Sequence, residues 1–184
     1  MSIHIKKPKS TFIHIPKTGG ESINAWMSDN LGHKFRGGEK HDKFSEMKSK
    51  YHELGFTWCV VRNPWDRVLS GYHYYKRKDA RILRDNEIKN FGEFLKMKSI
   101  GKTLNIPQTT FVPENIDLAI RFENLKEEFK QIQEFYNIKT PLPHKNSTKH
   151  QHYSSYYTEQ WMIDLVAKKF PLDIKRYNYD FEYK

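Results

Sequence analysis

Apolar positions along the chain fall into strand-like and helix-like blocks that alternate. Phe12, Ile13 and Ile15 make a β-type run over residues 10–15 that Pro16 closes. Ile23, Trp26 and Met27 then recur at helical spacing, which predicts a helix over 20–30 ended by Asn30-Leu31-Gly32. Residues 33–40 read as a glycine-rich loop closed by His41. Asp42 is placed to cap a helix to about residue 53, with Phe44, Met47 and Tyr51 inward. Trp58, Cys59, Val60 and Val61 predict a buried strand. Asn63-Pro64 predicts the start of a helix to about residue 78, with Val68, Leu69 and Tyr72 on its apolar face. Residues 79–116 are irregular apart from a short helix over 91–98, and 108–112 form a loop or a short strand. A strand over 117–122, a helix over 125–136, a basic loop over 141–152 and a helix over 158–170 follow. Tyr177, Tyr179, Phe181 and Tyr183 alternate, as in a terminal strand or a tail laid against the core. Residues 1–9 read as a basic lead-in.

Strands alternating with helices predict an α/β fold with a parallel sheet and helices on both faces, in one domain over 1–184. Ligands of such sheets bind at the carboxyl ends of the strands, and two strand–helix junctions carry chemistry there. At the first, Lys17-Thr18-Gly19-Gly20 links the strand to the helix N-terminus. Backbone N–H groups and the positive helix end converge at such a turn and suit a phosphate. Gly19 and Gly20 permit close approach of an anion, Lys17 adds a mobile charge, and Thr18 and Ser22 add hydroxyl donors. The lysine precedes the glycines, so this is not a Walker A loop. At the second junction Arg62 stands at a strand end, and Ser70 lies two turns into the next helix. Each feature alone has a plainer reading: a βα turn with an incidental lysine, an Arg62–Asp66 ion pair, a solvated Ser70.

Charge narrows the partners. The chain has 32 basic and 22 acidic residues and a formal net charge of +10, which favours a nucleotide, an acidic glycan, a nucleic acid or a membrane surface without choosing among them. Aromatic residues make up 15% of the chain and supply a core. The single cysteine, Cys59, excludes an internal disulfide. Residues 1–10 hold no apolar run of signal length, and no segment reads as a membrane span, so a cytoplasmic protein is expected.

Together the two junctions resemble those of a known family. Ile15-Pro16-Lys17-Thr18-Gly19-Gly20-Glu21-Ser22 resembles the 5′-phosphosulfate-binding loop of sulfotransferases that use 3′-phosphoadenosine 5′-phosphosulfate (PAPS). Val61-Arg62-Asn63-Pro64-Trp65-Asp66-Arg67-Val68-Leu69-Ser70-Gly71-Tyr72 resembles their 3′-phosphate-binding segment. Carbohydrate sulfotransferases and their short bacterial and phage relatives are the members most similar to it. Glu21 departs from the Thr or Ser usual at its position. The resemblance extends through Arg121-Phe122-Glu123-Asn124-Leu125 to the C-terminal tyrosines. It implies a P-loop-like three-layer fold with a central, mainly parallel sheet flanked by helices.

By that resemblance, Lys17, Thr18, Gly19, Gly20, Glu21 and Ser22 surround the 5′-phosphosulfate, and Arg62 with Ser70 holds the 3′-phosphate. Ser147 and Lys149, in the late basic loop, touch the phosphate or cover the site. Transfer of the sulfuryl group to a hydroxyl, expected on a saccharide, leaves 3′-phosphoadenosine 5′-phosphate (PAP). Lys17 stabilises the charge that grows on the leaving oxygen. No metal is required, and no nucleic-acid or membrane partner is expected. A histidine is the expected general base, and His41 is the choice, with His52, Glu21 and Glu46 as alternatives and His14 assigned to packing. Competing readings are a divergent P-loop kinase and a non-catalytic basic module that binds nucleotides or polyanions.

Overall fold

The computed structural model describes residues 1–32, 41–78, 80–97, 104–143 and 151–183. They form two compact units, each made of two stretches of chain: Met1–Arg62 with Gln108–Ser147, and Asn63–Pro107 with Thr148–Lys184.

The first unit carries the sheet. Its strands are β1 (Ile3–Lys6), β2 (Lys9–Ile13), β3 (Phe56–Val61) and β4 (Leu118–Arg121), in the spatial order β1-β2-β3-β4. β2, β3 and β4 run parallel, and β1 pairs antiparallel with β2. The sheet is thus mostly parallel, and helices flank it. The lead-in expected over residues 1–9 is in fact β1 and its hairpin. Ile3 and Ile5 alternate with His4 and Lys6, so one face is buried while the other keeps the charge. The basic flanks hid this two-residue period.

Helix α1 (Gly20–Leu31) ends at Gly32, held at φ 60°, where the sequence placed its stop. Its Ile23, Trp26 and Met27 meet Phe12, Trp58, Val60 and Ile120 of the sheet in one core. Phe129, Ile132 and Tyr136 join them from the segment expected as one helix over 125–136. That segment is two short helices in direct succession around Phe129, Leu125–Glu128 and Lys130–Tyr136. Trp26 meets Phe129 edge-on with ring centres 5.0 Å apart and donates through Nε1 to the Thr140 carbonyl at 2.7 Å. A buried aromatic side chain of this kind contributes about 2–3 kcal/mol, so the core fixes how α1 lies on the sheet.

Helix α2 (Phe44–Lys50) is shorter than the expected span to residue 53. Lys43 occupies the cap position, with its N–H donating to Glu46 Oε2. Asp42 instead forms an ion pair with Lys50 at 2.7 Å. Of the expected inward stripe only Met47 is buried. Tyr51 is exposed and stacks on His4.

The second unit is helical. It holds α3 (Pro64–Lys78), α4 (Ala80–Arg84), α5 (Phe91–Lys96), α8 (Gln160–Lys169) and α9 (Pro171–Tyr177), the two helices of the first unit after β4 being α6 and α7. α3 begins as expected: Asn63 Oδ1 accepts from the Trp65 N–H at 3.1 Å, and Pro64 stands at the first helical position. Asn63 Nδ2 also donates to the Asp180 carbonyl at 3.0 Å. The aromatic tail forms no strand. Phe181 packs against Trp65, Tyr153 and Tyr157, so the tail lies against this unit's core. Arg67 is fully buried. Its Nη2 donates to the Ile106 carbonyl at 3.0 Å, and its Nη1 lies 4.0 Å from Asp173, itself fully buried. Neither α4, α9 nor this pair was expected from the sequence. Among the described residues no helix is long and apolar enough to cross a membrane.

Candidate functional site

Register brings the two junctions of the first unit together. Ile13 of β2 lies opposite Cys59 of β3, and the strands are parallel. The loop leaving β2 and the residue leaving β3 therefore emerge side by side at one sheet edge.

The loop is built by its own backbone. Thr18 is fully buried, and its hydroxyl donates to the Ile15 carbonyl at 2.8 Å, tying the turn to the strand end. Lys17 has φ 69° and Gly19 φ 82°. A left-handed lysine is disfavoured by about 1–2 kcal/mol, so surrounding contacts hold it there. Gly19 caps α1, and Ser22 N–H donates to its carbonyl at 3.0 Å. A Cβ on Gly19 would stand 3.2 Å from Phe122, whereas one on Gly20 would stand 1.9 Å from His14 Nε2. The bareness of Gly20 thus makes room for a buried imidazole. Glu21 is exposed, in the first turn of α1, where an acid is compatible with the helix dipole. Ser22 is buried.

Arg62 meets this loop. Its Nη1 donates to the Lys17 carbonyl at 3.1 Å, and its guanidinium lies 4.0 Å over the Phe122 ring. The side chain is only 7% exposed, so its charge is held rather than waving in solvent. Its backbone is paired with Gln108, a fully buried residue of the 3-10 turn Gln108–Thr110. The held Arg62 guanidinium, the ammonium of Lys17 and the N-terminus of a 12-residue helix give this edge positive potential. That donor set fits an anionic ligand of phosphate type.

The expected base lies beside the loop. His41 Nδ1 is 3.3 Å from the His14 carbonyl, and the two rings are 4.5 Å apart. A carbonyl only accepts, so Nδ1 is the donor of this hydrogen bond, and in the neutral ring that tautomer carries its lone pair on Nε2. His14 is 4% exposed and ring-packed against Phe12, in keeping with its packing assignment. His52 is exposed and precedes β3, so it belongs to the opposite end of the parallel strands. Glu46 is engaged with the Lys43 N–H at the start of α2.

Ser70 lies half-buried on α3, in the second unit. Ser147 and Lys149 lie outside the described residues. Gln108 was expected in a loop or short strand over 108–112; only its place opposite a strand end reveals its link to Arg62. Among the described residues no group of three or more His, Cys, Asp or Glu side chains gathers as a metal site.

A model described as "Sulfotransferase family" matches residues 4–180. An uncharacterized protein of Archaeoglobus fulgidus is 37% identical over 80 residues, which cover 41% of this chain. The chain spans 62% of the length of that curated relative. A crystal structure of a sulfotransferase from Alicyclobacillus acidocaldarius is similar at a TM-score of 0.45 and 13% identity, over 90% of this chain and 92% of that one. At that score the likeness stands as a similarity only.

Proposed function

The chain belongs to the sulfotransferase family, and on that premise we propose that it transfers a sulfuryl group from PAPS to a hydroxyl of a saccharide acceptor. The observation that carries this reading is the hydrogen bond from Arg62 to the Lys17 carbonyl, which sets two cationic residues at the start of α1. When bound, PAPS supplies the sulfuryl group for an in-line displacement whose leaving group is its 5′-phosphate. Lys17 and the first turn of α1 hold the negative charge that grows on the leaving oxygen. Gly19, Gly20 and the backbone at Glu21 and Ser22 line the approach to that charge. Arg62 holds the 3′-phosphate, and the assignment of Ser70 to the same phosphate rests on the motif. His41 Nε2 takes the proton of the acceptor hydroxyl, with Nδ1–H anchored on the His14 carbonyl. The work of the site is positioning and charge.

Calorimetric titration with PAP, against AMP and ATP and without added metal, tests the donor assignment. Selective PAP binding followed by transfer of label from PAPS to a saccharide panel is the expected result. A folded sample with no preference for PAP would overturn it and favour the polyanion-binding reading. Phosphoryl transfer from ATP that stops on magnesium chelation would instead point to a kinase-like enzyme.

A further inference from the structure

Arg62 is gripped at both backbone atoms by one side chain. The ladder between β3 and β4 reaches Val61 opposite Arg121, and Arg62 is the next residue. Its N–H donates to Gln108 Oε1 at 2.8 Å, and its C=O accepts from Gln108 Nε2 at 2.8 Å. A primary amide that offers oxygen and nitrogen to one residue's N–H and C=O reproduces the paired bonds of a neighbouring strand residue. Gln108 is fully buried, and its own carbonyl accepts from the Phe111 N–H at 2.9 Å, which pins the turn it stands on. The Arg62 side chain, starting from this fixed backbone, reaches the Phe122 face and the Lys17 carbonyl. Lys17 in turn is the left-handed residue of the loop.

We propose that Gln108 is a positioning residue for donor-nucleotide binding. It sets the place of the Arg62 guanidinium and, through the Lys17 carbonyl, the backbone of the loop. This rests on the reading that Arg62 and Lys17 hold PAPS. The chemistry is specific to glutamine. Glutamate turns a carboxylate oxygen against the Arg62 carbonyl, leucine offers neither bond, and asparagine is one methylene short.

The test compares wild type with Gln108→Leu and Gln108→Glu by two readouts. The first is hydrogen exchange without nucleotide, followed on segments 16–20 and 60–64. The second is the ratio of PAP to AMP affinity. Faster exchange in both segments is expected, by about tenfold, with β1 unchanged. The PAP/AMP ratio is expected to fall about tenfold, the effect of losing one charge-assisted hydrogen bond. In an Arg62→Met background, Gln108→Leu is expected to change PAP affinity less than twofold, because the residue it positions is gone. Gln108→Glu keeps volume and the acceptor for the Arg62 N–H, so it covers the case of an unfolded leucine variant. Unchanged exchange in segments 16–20 and 60–64 of a folded variant, or an unchanged PAP/AMP ratio, overturns the proposal. A wild type with no PAP preference overturns the nucleotide reading instead, and the exchange data then decide the role of Gln108 alone.

Discussion

The carbonyl of Lys17 accepts a hydrogen bond from Nη1 of Arg62 at 3.1 Å, across 45 residues of sequence. A left-handed lysine in one strand–helix turn is thereby tied to the residue that follows the next strand. Lys17→Gly separates the two roles of that lysine. Relief of the left-handed backbone and the extra chain entropy of glycine offset each other, so stability is expected to hold within about 1 kcal/mol. Turnover is expected to vanish, because the ammonium is gone. Urea denaturation beside a labelled-PAPS transfer assay measures both, and substantial residual turnover removes Lys17 from the chemistry.

Gly20→Ala drives a methyl group into His14 Nε2, where an added Cβ would lie only 1.9 Å away. Overpacking of this kind costs about 1–3 kcal/mol, and here it also shifts the strand end that anchors His41. The double variant Gly20→Ala with His14→Ala is expected to recover part of that loss. Additive losses in denaturation would show that the two residues do not compete for the same space.

His41→Ala is expected to leave PAP affinity within about twofold and to cut turnover about 10²–10⁴-fold, the range for loss of a general base. Calorimetry and initial rates on the same preparation check it. Near-normal rates would return the search for a base to the glutamates, since His52 lies at the opposite end of the strands.

The buried pair of Arg67 and Asp173 is expected to be a pillar of the second unit. Arg67→Met leaves a buried carboxylate without that cation, and a loss of about 3–5 kcal/mol follows from charge burial. A midpoint shift in urea well below that size would mean that water reaches the site.

Alkaline stability carries the signature of a buried tyrosine. Burial pushes the Tyr153 phenol up to about 12 from the ordinary 10, and burial raises Tyr157 well above its ordinary value. The folded state then holds protons that the unfolded chain releases. This stability is fully present below pH 10 and is lost as pH rises through about 12. Denaturation midpoints are expected to fall above pH 10, and less steeply in Tyr153→Phe. That variant also removes the acceptor of the Glu182 N–H, now at 2.7 Å, so its midpoint at pH 7 is expected to be lower.

The two junctions, the helix stop at Gly32 and the helix start at Asn63-Pro64 were legible because they are local. Each follows from backbone preferences and from periodicity within one turn or one strand. β1 was missed because lysines around Ile3 and Ile5 masked a two-residue alternation that gains meaning only with β2 beside it. Helix α2 was overdrawn because Phe44, Met47 and Tyr51 keep helical spacing, although only Met47 finds a core to enter.

The sequence by itself determined the chemistry present: a lysine–glycine turn before a helix, an arginine at a strand end, a histidine after a glycine loop. Tertiary structure decided what those groups touch. Parallel register put Arg62 against the Lys17 carbonyl, a buried amide 46 residues further on gripped the Arg62 backbone, and His14 filled the space that Gly20 leaves open. Such contacts join residues distant in sequence. Which pairs form is fixed by strand register and by the filling of volume, and neither leaves a periodic trace along the chain.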